Sequence, residues 1–287
     1  MGEWQKKVIA IHDLSGLGHC SLSVILPILS VMGIQVCSVP TAILSTHTGG
    51  FGEVAMHDLT EYIPSALEHY RRLGISFDCI YSGFLASKEQ IDHCLEVFSE
   101  YPDALKVVDT VMGDNGKPYR TCTPELRKRM GELVSIADIV TPNVTEMSFL
   151  LGEEYSPRPF TTQMIKSRLV RISEKNPKTV VITSVPFADG TMCNVGYDRE
   201  RNSFWKVPFE PISANYPGAG DVFSSVLVGS LMNGESLPIA INRATTFCEI
   251  AVRTTYGYSS EKRNGIMIEK CLDWLITRPT LYQYETL

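Results

Sequence analysis

Residues 6–13 read KKVIAIHD, a short run rich in β-branched and other apolar residues that ends at polar side chains. The glycine-containing stretch SGLGHC (15–20) and the helix-like stretch SLSVILPILSVMG (21–33) follow it. A strand, a glycine loop and a helix in this order form the repeating unit of sheets whose strands run parallel. The start of the chain therefore predicts an α/β fold.

The same unit recurs along the chain. Apolar, strand-like runs are IQVCSVPTAIL (34–44), FDCIYSG (77–83), ALKVVDTV (104–111), ADIVTPN (137–143) and KTVVITS (178–184). Helix-length segments lie between them, at 57–73, 88–99, 123–134 and 144–151. This alternation predicts a three-layer sandwich with a mostly parallel central sheet and helices on both faces. No linker-like change of composition interrupts it, so we predict a single domain over residues 1–287.

The second half of the chain has a different pattern. MCNVGYD (192–198) and SFWKVPFE (203–210) are separated by the charged RERN and predict an antiparallel hairpin at the sheet edge. Three helices are expected after it, at 220–233, 236–255 and 263–275.

Composition excludes several classes of partner. The formal net charge is −6 and no basic stripe is present, which argues against a nucleic-acid partner. The apolar runs are too short to span a bilayer, and the first residues lack the pattern of a cleaved signal peptide. Eight cysteines occur without a Cys-x-x-Cys pair, which favours reduced thiols in the core. We therefore expect a soluble cytoplasmic protein without a membrane partner.

Polar residues gather where the predicted strands end. In open parallel sheets, ligands bind at the carboxyl ends of the strands. One cleft is therefore expected to collect the polar and aromatic residues at these ends: Asp13, His47, Thr48, Gly83, Phe84, Asp109, Asp114, Asn143, Glu146, Thr183 and Ser184.

The stretch PGAGD (217–221) lies at the start of a predicted helix. Its two glycines let the backbone come close to a ligand, and a helix start offers unpaired N–H donors with a partial positive charge. This arrangement favours a bound anion. The carboxylate of Asp221 would then act on a group held beside that anion. The alternative is a tight turn followed by a helix cap.

Familiar nucleotide motifs are missing. The first glycine loop has Ser21 in place of the third glycine of the dinucleotide fingerprint, and GDNGKPY (113–119) has a proline where the phosphate loop needs a hydroxyl residue. The histidines show no metal-binding spacing. Oxygen ligands for a hard cation are available in Asp109, Asp114 and the TPNVTE stretch (141–146). Asn143 with Glu146 also fits a helix cap with a reciprocal partner.

NYPGAGDVFSSVLVGSLMNG (215–234) resembles the C-terminal signature of the ribokinase superfamily. Four further stretches are similar to segments of its pyridoxal kinase branch: LSTHTGGFG (44–52), YSGFLAS (81–87), VVDTVMGD (107–114) and ADIVTPNVTEMSFLLG (137–152). Their order and spacing agree from about residue 8 to residue 255. The resemblance implies a ribokinase-like fold and ATP-dependent phosphorylation of the 5′-hydroxymethyl group of a vitamin B6 vitamer, namely pyridoxal, pyridoxamine or pyridoxine.

The resemblance also implies roles for individual residues. The amides of Gly218, Ala219 and Gly220 would form an anion hole for the transferred phosphoryl group, with Asp221 as the catalytic base. The implied magnesium residues are Asp109, Asp114 and Glu146. The implied ATP-binding residues are Asn143, Thr183 and Ser184, and the implied substrate-binding residues are Asp13, His47, Thr48 and Phe84. ATP and Mg²⁺ are the expected cofactors, a monovalent cation such as K⁺ is a further candidate, and relatives are commonly homodimers.

The chain departs from the pyridoxal kinase pattern in several places. Many pyridoxal kinases carry serine at the position of Asp13, tyrosine at Phe84 and threonine at Ala219, and Pro217 is a further difference. A carboxylate beside a ring nitrogen favours a protonated heterocycle, so we expect altered ring selectivity. A hydroxymethylpyrimidine kinase of thiamine synthesis remains an alternative, although one group of those enzymes has cysteine in place of the base.

Two further alternatives are less favoured. A sugar kinase of the wider superfamily would need an inserted β lid, which the first half of the chain does not clearly contain. A catalytically silent binding protein would have no need to retain Asp221.

Overall fold

The computed structural model describes residues 5–212, 214–276 and 282–287 of the chain. Ten strands form one sheet: β1 (Lys7–Leu17), β2 (Gln35–Thr46), β3 (Met56–Asp58), β4 (Cys79–Ser82), β5 (Leu105–Val108), β8 (Ile139–Val140), β9 (Thr179–Pro186), β10 (Met192–Asp198), β11 (Ser203–Phe209) and β12 (Glu285–Thr286). The short strands β6 (Gly113–Asp114) and β7 (Lys117–Pro118) form a separate hairpin.

The order of strands across the sheet is β12-β11-β10-β9-β8-β5-β4-β1-β2-β3. The six strands from β9 to β2 pair in parallel, while β10, β11, β12 and β3 pair antiparallel with their neighbours. Parallel strands need crossover connections, which the intervening helices supply. The predicted mostly parallel sheet is confirmed, and so is the predicted hairpin of β10 and β11.

Eight α-helices accompany the sheet in the part of the chain that the structure describes: α1 (Leu22–Val31), α2 (Tyr62–Arg72), α3 (Lys88–Glu100), α4 (Pro124–Val134), α5 (Val144–Leu151), α6 (Thr162–Ser173), α7 (Ala219–Met232) and α8 (Leu237–Gly257). Helices α2 to α6 bury their apolar residues in one cluster, and α1, α7 and α8 contribute to a second cluster. Each of the six parallel strands divides its apolar side chains between the two clusters, as the alternation of side chains along a strand requires. The three-layer sandwich is therefore confirmed.

The helix starts are encoded locally. The side chains of Ser87, Thr123 and Thr161 accept a hydrogen bond from the third backbone N–H that follows each of them, at the starts of α3, α4 and α6. Residues with a short side-chain oxygen are preferred at this position because they satisfy a donor that the helix leaves unpaired. These caps set where each helix begins relative to the strand before it.

Two boundaries differ from the sequence prediction. β1 continues to Leu17 because Leu14, Ser15 and Leu17 pair with an extension of β2, so part of the predicted glycine loop is strand. The helix expected at 57–73 begins only at Tyr62, because residues 56–58 form the edge strand β3.

The helix expected at 263–275 is wrong. The structure has three short 3₁₀ segments there, Lys262–Asn264, Ile268–Lys270 and Leu272–Leu275. The carbonyl groups of Arg263 and Asn264 contact the rings of His47 and His19, which competes with hydrogen bonding along an α-helix. Gly265, with φ +77°, also breaks the helix.

Among the described residues, none of the helices is both long enough and apolar enough to cross a lipid bilayer.

We predict opposite effects for alanine at two glycines. A Cβ atom at Gly83 would lie 1.8 Å from the Cε1 atom of the fully buried His12 ring, so Gly83→Ala should destabilise the fold by about 1–3 kcal/mol or more. Gly131 in α4 has no atom within 4 Å of such a Cβ, so Gly131→Ala should stabilise it by about 0.5–1 kcal/mol. Urea denaturation measures both changes, and equal signs would contradict the packing assigned to Gly83.

Candidate active site

A cavity of about 850 Å³ opens where the parallel strands end. Twelve of the fourteen residues predicted for the site line it: Asp13, His47, Thr48, Phe84, Asp114, Asn143, Thr183, Ser184, Gly218, Ala219, Gly220 and Asp221. The two remaining residues, Asp109 and Glu146, are buried and stand outside this set of lining residues. Gly83, which the strand-end rule also placed in the cleft, does not line it either. The structure thus brings most of the predicted residues into one cleft, as the strand-end rule requires.

The turn before α7 can only be built with glycine. Gly218 has φ +86°, and a Cβ atom there would lie 1.8 Å from the carbonyl oxygen of His19. The start of α7 therefore packs directly against the loop that follows β1. No side chain caps the start of α7, so its first N–H groups are available to a ligand in the cavity.

The carboxylate of Asp221 lies in the first turn of α7 at the wall of the cavity. Its Oδ2 atom accepts a hydrogen bond from the backbone N–H of Ser21 at 2.9 Å. Burial and the neighbouring charge of Asp109 raise the pKa of Asp221 to about 8, although the Ser21 bond acts in the opposite direction. A carboxylate with this pKa is basic enough to accept a proton near neutral pH.

Ser21 is a residue of the site that sequence reasoning missed. It has φ 52°, which is uncommon for a residue other than glycine, and it begins α1. Its side chain also lies beside Asp13 and counteracts the rise that burial causes in the pKa of that carboxyl. Its sequence signal is its place at the third glycine position of the dinucleotide fingerprint, where a serine argues against that motif.

Asp13 is 5% exposed and lines the cavity at the end of the sheet. Burial raises its pKa, while hydrogen bonds from Ser21 and Ser15 act in the opposite direction. The Ser15 hydroxyl donates to Oδ2 at 3.0 Å. Across the described residues Asp13 makes no ion pair within 4.0 Å, and hydrogen bonds are the largest of the contacts that offset the cost of burying its charge. A ligand with an N–H donor would complete the arrangement.

Asp109 and Glu146 form a buried layer beneath the cavity. Burial and their mutual repulsion raise the pKa of Asp109, and burial raises that of Glu146. The Ser224 hydroxyl donates to Asp109 at 3.0 Å. Glu146 accepts from the Thr110 hydroxyl and from the N–H groups of Met112 and Asn143 at 2.9 to 3.1 Å.

Asn143 and Glu146 form the reciprocal helix cap that the sequence left open as an alternative. The Asn143 side-chain oxygen accepts from the N–H groups of Thr145 and Glu146, and its Nδ2 donates to the carbonyl of Gly113 at 2.8 Å. Thr183 forms a parallel bridge with Asn143 across the ends of β8 and β9. The cap thus connects the segments at the carboxyl ends of three neighbouring strands, β5, β8 and β9.

His47 has both ring nitrogens engaged. Its Nε2 donates to the carbonyl of Arg263 at 2.6 Å, and its Nδ1 accepts from the N–H of Gly49 at 3.0 Å. These two hydrogen bonds hold the loop after β2 in place. Thr48 and Phe84 complete this end of the cavity lining, and the Phe84 carbonyl accepts from the Thr41 hydroxyl at 3.0 Å.

The fold and this cleft define an α/β kinase of the ribokinase-like class. The sequence profile of a family described as phosphomethylpyrimidine kinase matches residues 26–267, and the chain belongs to that family. It is a phosphotransferase of the pyridoxal kinase type, with an alcohol group as acceptor.

Solved structures and sequence relatives agree with this placement. A Bacteroides thetaiotaomicron protein provisionally assigned as a phosphomethylpyrimidine kinase, crystallised with pyridoxal, is 42% identical with a TM-score of 0.95, covering 99% of this chain and 100% of its own. The pyridoxal kinase of Lactobacillus plantarum is 28% identical with a TM-score of 0.87, covering 96% and 97%. A Rubrobacter xylanophilus pyridoxal kinase is 28% identical over 251 residues, 82% of each chain.

We predict that Asp221→Asn stabilises the unliganded protein at alkaline pH. The folded pKa near 8 lies above the unfolded value near 4, so the wild type binds this proton more tightly when folded and loses stability as pH rises from about 4 to 8. Asparagine keeps an oxygen for the Ser21 N–H and carries no charge. The melting temperature should rise by a few degrees at pH 8 and by less at pH 5.

The control is Asp103→Asn, at an exposed position away from the cleft. It should leave the melting temperature unchanged at both pH values. A gain for Asp221→Asn that is equal at pH 5 and pH 8 would contradict the raised pKa.

Proposed function

We propose that this protein phosphorylates the 5′-hydroxymethyl group of a vitamin B6 vitamer, namely pyridoxal, pyridoxamine or pyridoxine, with ATP as the donor. The observation that carries the proposal is the half-buried Asp221 carboxylate beside the uncapped start of α7, in a cavity large enough for two small molecules. The kinase relatives of the chain and the pyridoxal complex of the Bacteroides protein support this choice of acceptor.

The chemistry follows from charge and position. The N–H groups of Gly218, Ala219 and Gly220 stabilise negative charge on the phosphoryl group during transfer, as a helix start does for anions. Asp221 accepts the proton of the attacking hydroxyl, and the oxygen then forms a bond to phosphorus as the bond to ADP breaks. Phosphoryl transfer depends mainly on such positioning and charge stabilisation.

The residues fit a magnesium ion that is held largely by nucleotide phosphates and water, the arrangement that Mg²⁺ prefers in kinases. Asp114 is the predicted metal carboxylate that lines the cavity. Within the described ranges, no group of three or more His, Cys, Asp or Glu side chains could hold a metal ion unaided. When bound, the ion would neutralise phosphate charge.

We assign Asp109 and Glu146 an indirect part in this metal site. The two carboxylate oxygens of Glu146 already accept three hydrogen bonds from other residues of the protein. Glu146 therefore orients Asn143 and the residues that follow β5. Asp109 is held by Ser224 in the same buried layer. Thr183 and Ser184, at the end of β9, would contact the nucleotide with Asn143. A monovalent cation such as K⁺ remains part of the proposal.

The acceptor ring would lie between Asp13, His47, Thr48 and Phe84. Phenylalanine offers a stacking face without a hydroxyl, and the Asp13 carboxylate offers an acceptor for a ring N–H or an amino group. A hydroxymethylpyrimidine or its phosphate is the second candidate acceptor, favoured by the description of the family that the chain matches. We further propose a homodimer.

We predict that Asp221→Asn lowers turnover by about 10² to 10⁴, because a placed general base contributes a factor of this size. ATP consumption that depends on added pyridoxal, pyridoxamine or pyridoxine measures the effect. The wild-type kcat/KM should rise with pH toward about 8, where Asp221 loses its proton, and the variant should lack this rise.

Calorimetric binding of ATP to Asp221→Asn should remain close to that of the wild type, since the helix start is unchanged. Asp103→Asn again provides the exposed control. Near-normal turnover in Asp221→Asn would overturn the assignment of the base, and ATP consumption that no vitamer stimulates would overturn the acceptor.

We also predict that Asp13 sets the choice of ring. Asp13→Asn removes the charge but keeps the size, so it should weaken the binding of pyridoxamine by about tenfold, the difference between a charged and a neutral hydrogen bond. Asp13→Ser should shift preference toward pyridoxal. Competition among pyridoxal, pyridoxamine and hydroxymethylpyrimidine measures the preference, and an identical order in wild type and both variants would contradict this role.

A further inference from the structure

The stretch GDNGKPY, which lacks the sequence of a phosphate loop, forms a tight hairpin over the cleft. Asn115 has φ 52° and Gly116 has φ 75°, and they connect β6 to β7. Positive φ at both central residues is the mark of a two-residue turn whose twist suits antiparallel strands. Asp114 pairs with Lys117 and Gly113 with Pro118 across this turn.

Hydrogen bonds fix the hairpin to the start of α5. The N–H of Gly116 donates to the Thr145 hydroxyl at 2.9 Å, and the Asn143 amide donates to the Gly113 carbonyl at 2.8 Å. A Cβ atom at Gly116 would lie 2.5 Å from the Tyr155 ring, so the turn also packs closely there. The backbone that leads to residue 120 therefore starts from a fixed position.

Arg120 lies two residues beyond β7 and lines the cavity. Among the lining residues that the structure describes, it is the one lysine or arginine, and the carboxylates of Asp13, Asp114 and Asp221 share the same cavity. Arg120 is exposed, and in the described ranges it has no salt bridge, side-chain hydrogen bond or ring contact. A guanidinium group with all its donors unpaired thus borders a cleft that otherwise carries negative charge.

We propose that Arg120 binds a phosphate group in this cleft. A guanidinium group matches the geometry of phosphate oxygens with paired donors, and charge stabilisation is the main demand of phosphoryl transfer. The phosphate belongs either to the nucleotide or to the phosphorylated acceptor. The inference rests on the proposed function only in taking ATP as the donor.

The test compares Arg120→Ala and Arg120→Lys with Lys117→Ala. Lys117 is an exposed cation on the same hairpin that does not line the cavity in the described structure, so it is a matched control. Isothermal titration measures the affinity for a non-hydrolysable ATP analogue, ADP, adenosine and pyridoxal phosphate. Arg120→Ala should weaken at least one phosphate-bearing ligand about tenfold or more, with adenosine unchanged, and Arg120→Lys should weaken it less.

The pattern of losses identifies the source of the phosphate. A loss confined to the ATP analogue assigns Arg120 to the terminal phosphate, equal losses for the analogue and ADP assign it to the inner phosphates, and a loss for pyridoxal phosphate assigns it to the acceptor side. Unchanged affinity for all three ligands, or an equal loss in Lys117→Ala, overturns the proposal. Phosphate binding through Arg120 without turnover of any vitamer would refute the proposed function alone.

Discussion

The hydrogen bond from the backbone N–H of Ser21 to Asp221 joins parts of the chain 200 positions apart, and the cleft depends on it. The direct packing of Gly218 on the carbonyl of His19 accompanies this bond. Together, these two contacts hold the start of α7 against the loop that follows β1. The same contact positions the proposed base, the anion hole and Asp13, so the positions of these groups relative to one another depend on it.

Crowded carboxylates are the second constraint. Asp13, Asp109, Glu146 and Asp221 are all held with raised pKa values, and burial is the largest cause for each. Such an arrangement costs stability in the unliganded protein, which is common at functional sites. The proposed ligands carry what the cleft lacks, namely a metal ion and N–H donors. The negative charge of the phosphates must therefore be balanced by the N–H groups at the start of α7 and by a cationic side chain of the protein.

Much of the fold could be predicted because its signals are local. Strand-helix alternation predicted the layers, and the Asn143 cap and the PGAGD turn were visible as short motifs. No local pattern predicts the features that depend on distant parts of the chain. These are the roles of Ser21 and Arg120 in the cleft and the 3₁₀ segments near Gly265. In the last case, contacts of carbonyl groups with His19 and His47 prevail over helical propensity.

The long separation between Ser21 and Asp221 has a consequence for synthesis. A nascent chain holds the first loop long before residue 221 leaves the ribosome, so the strands and helices of the first half form around an incomplete cleft. Long-range contacts of this kind close late because chain entropy opposes them. The cleft therefore stays incomplete in any nascent chain that does not yet contain residue 221, because such a chain lacks the proposed base.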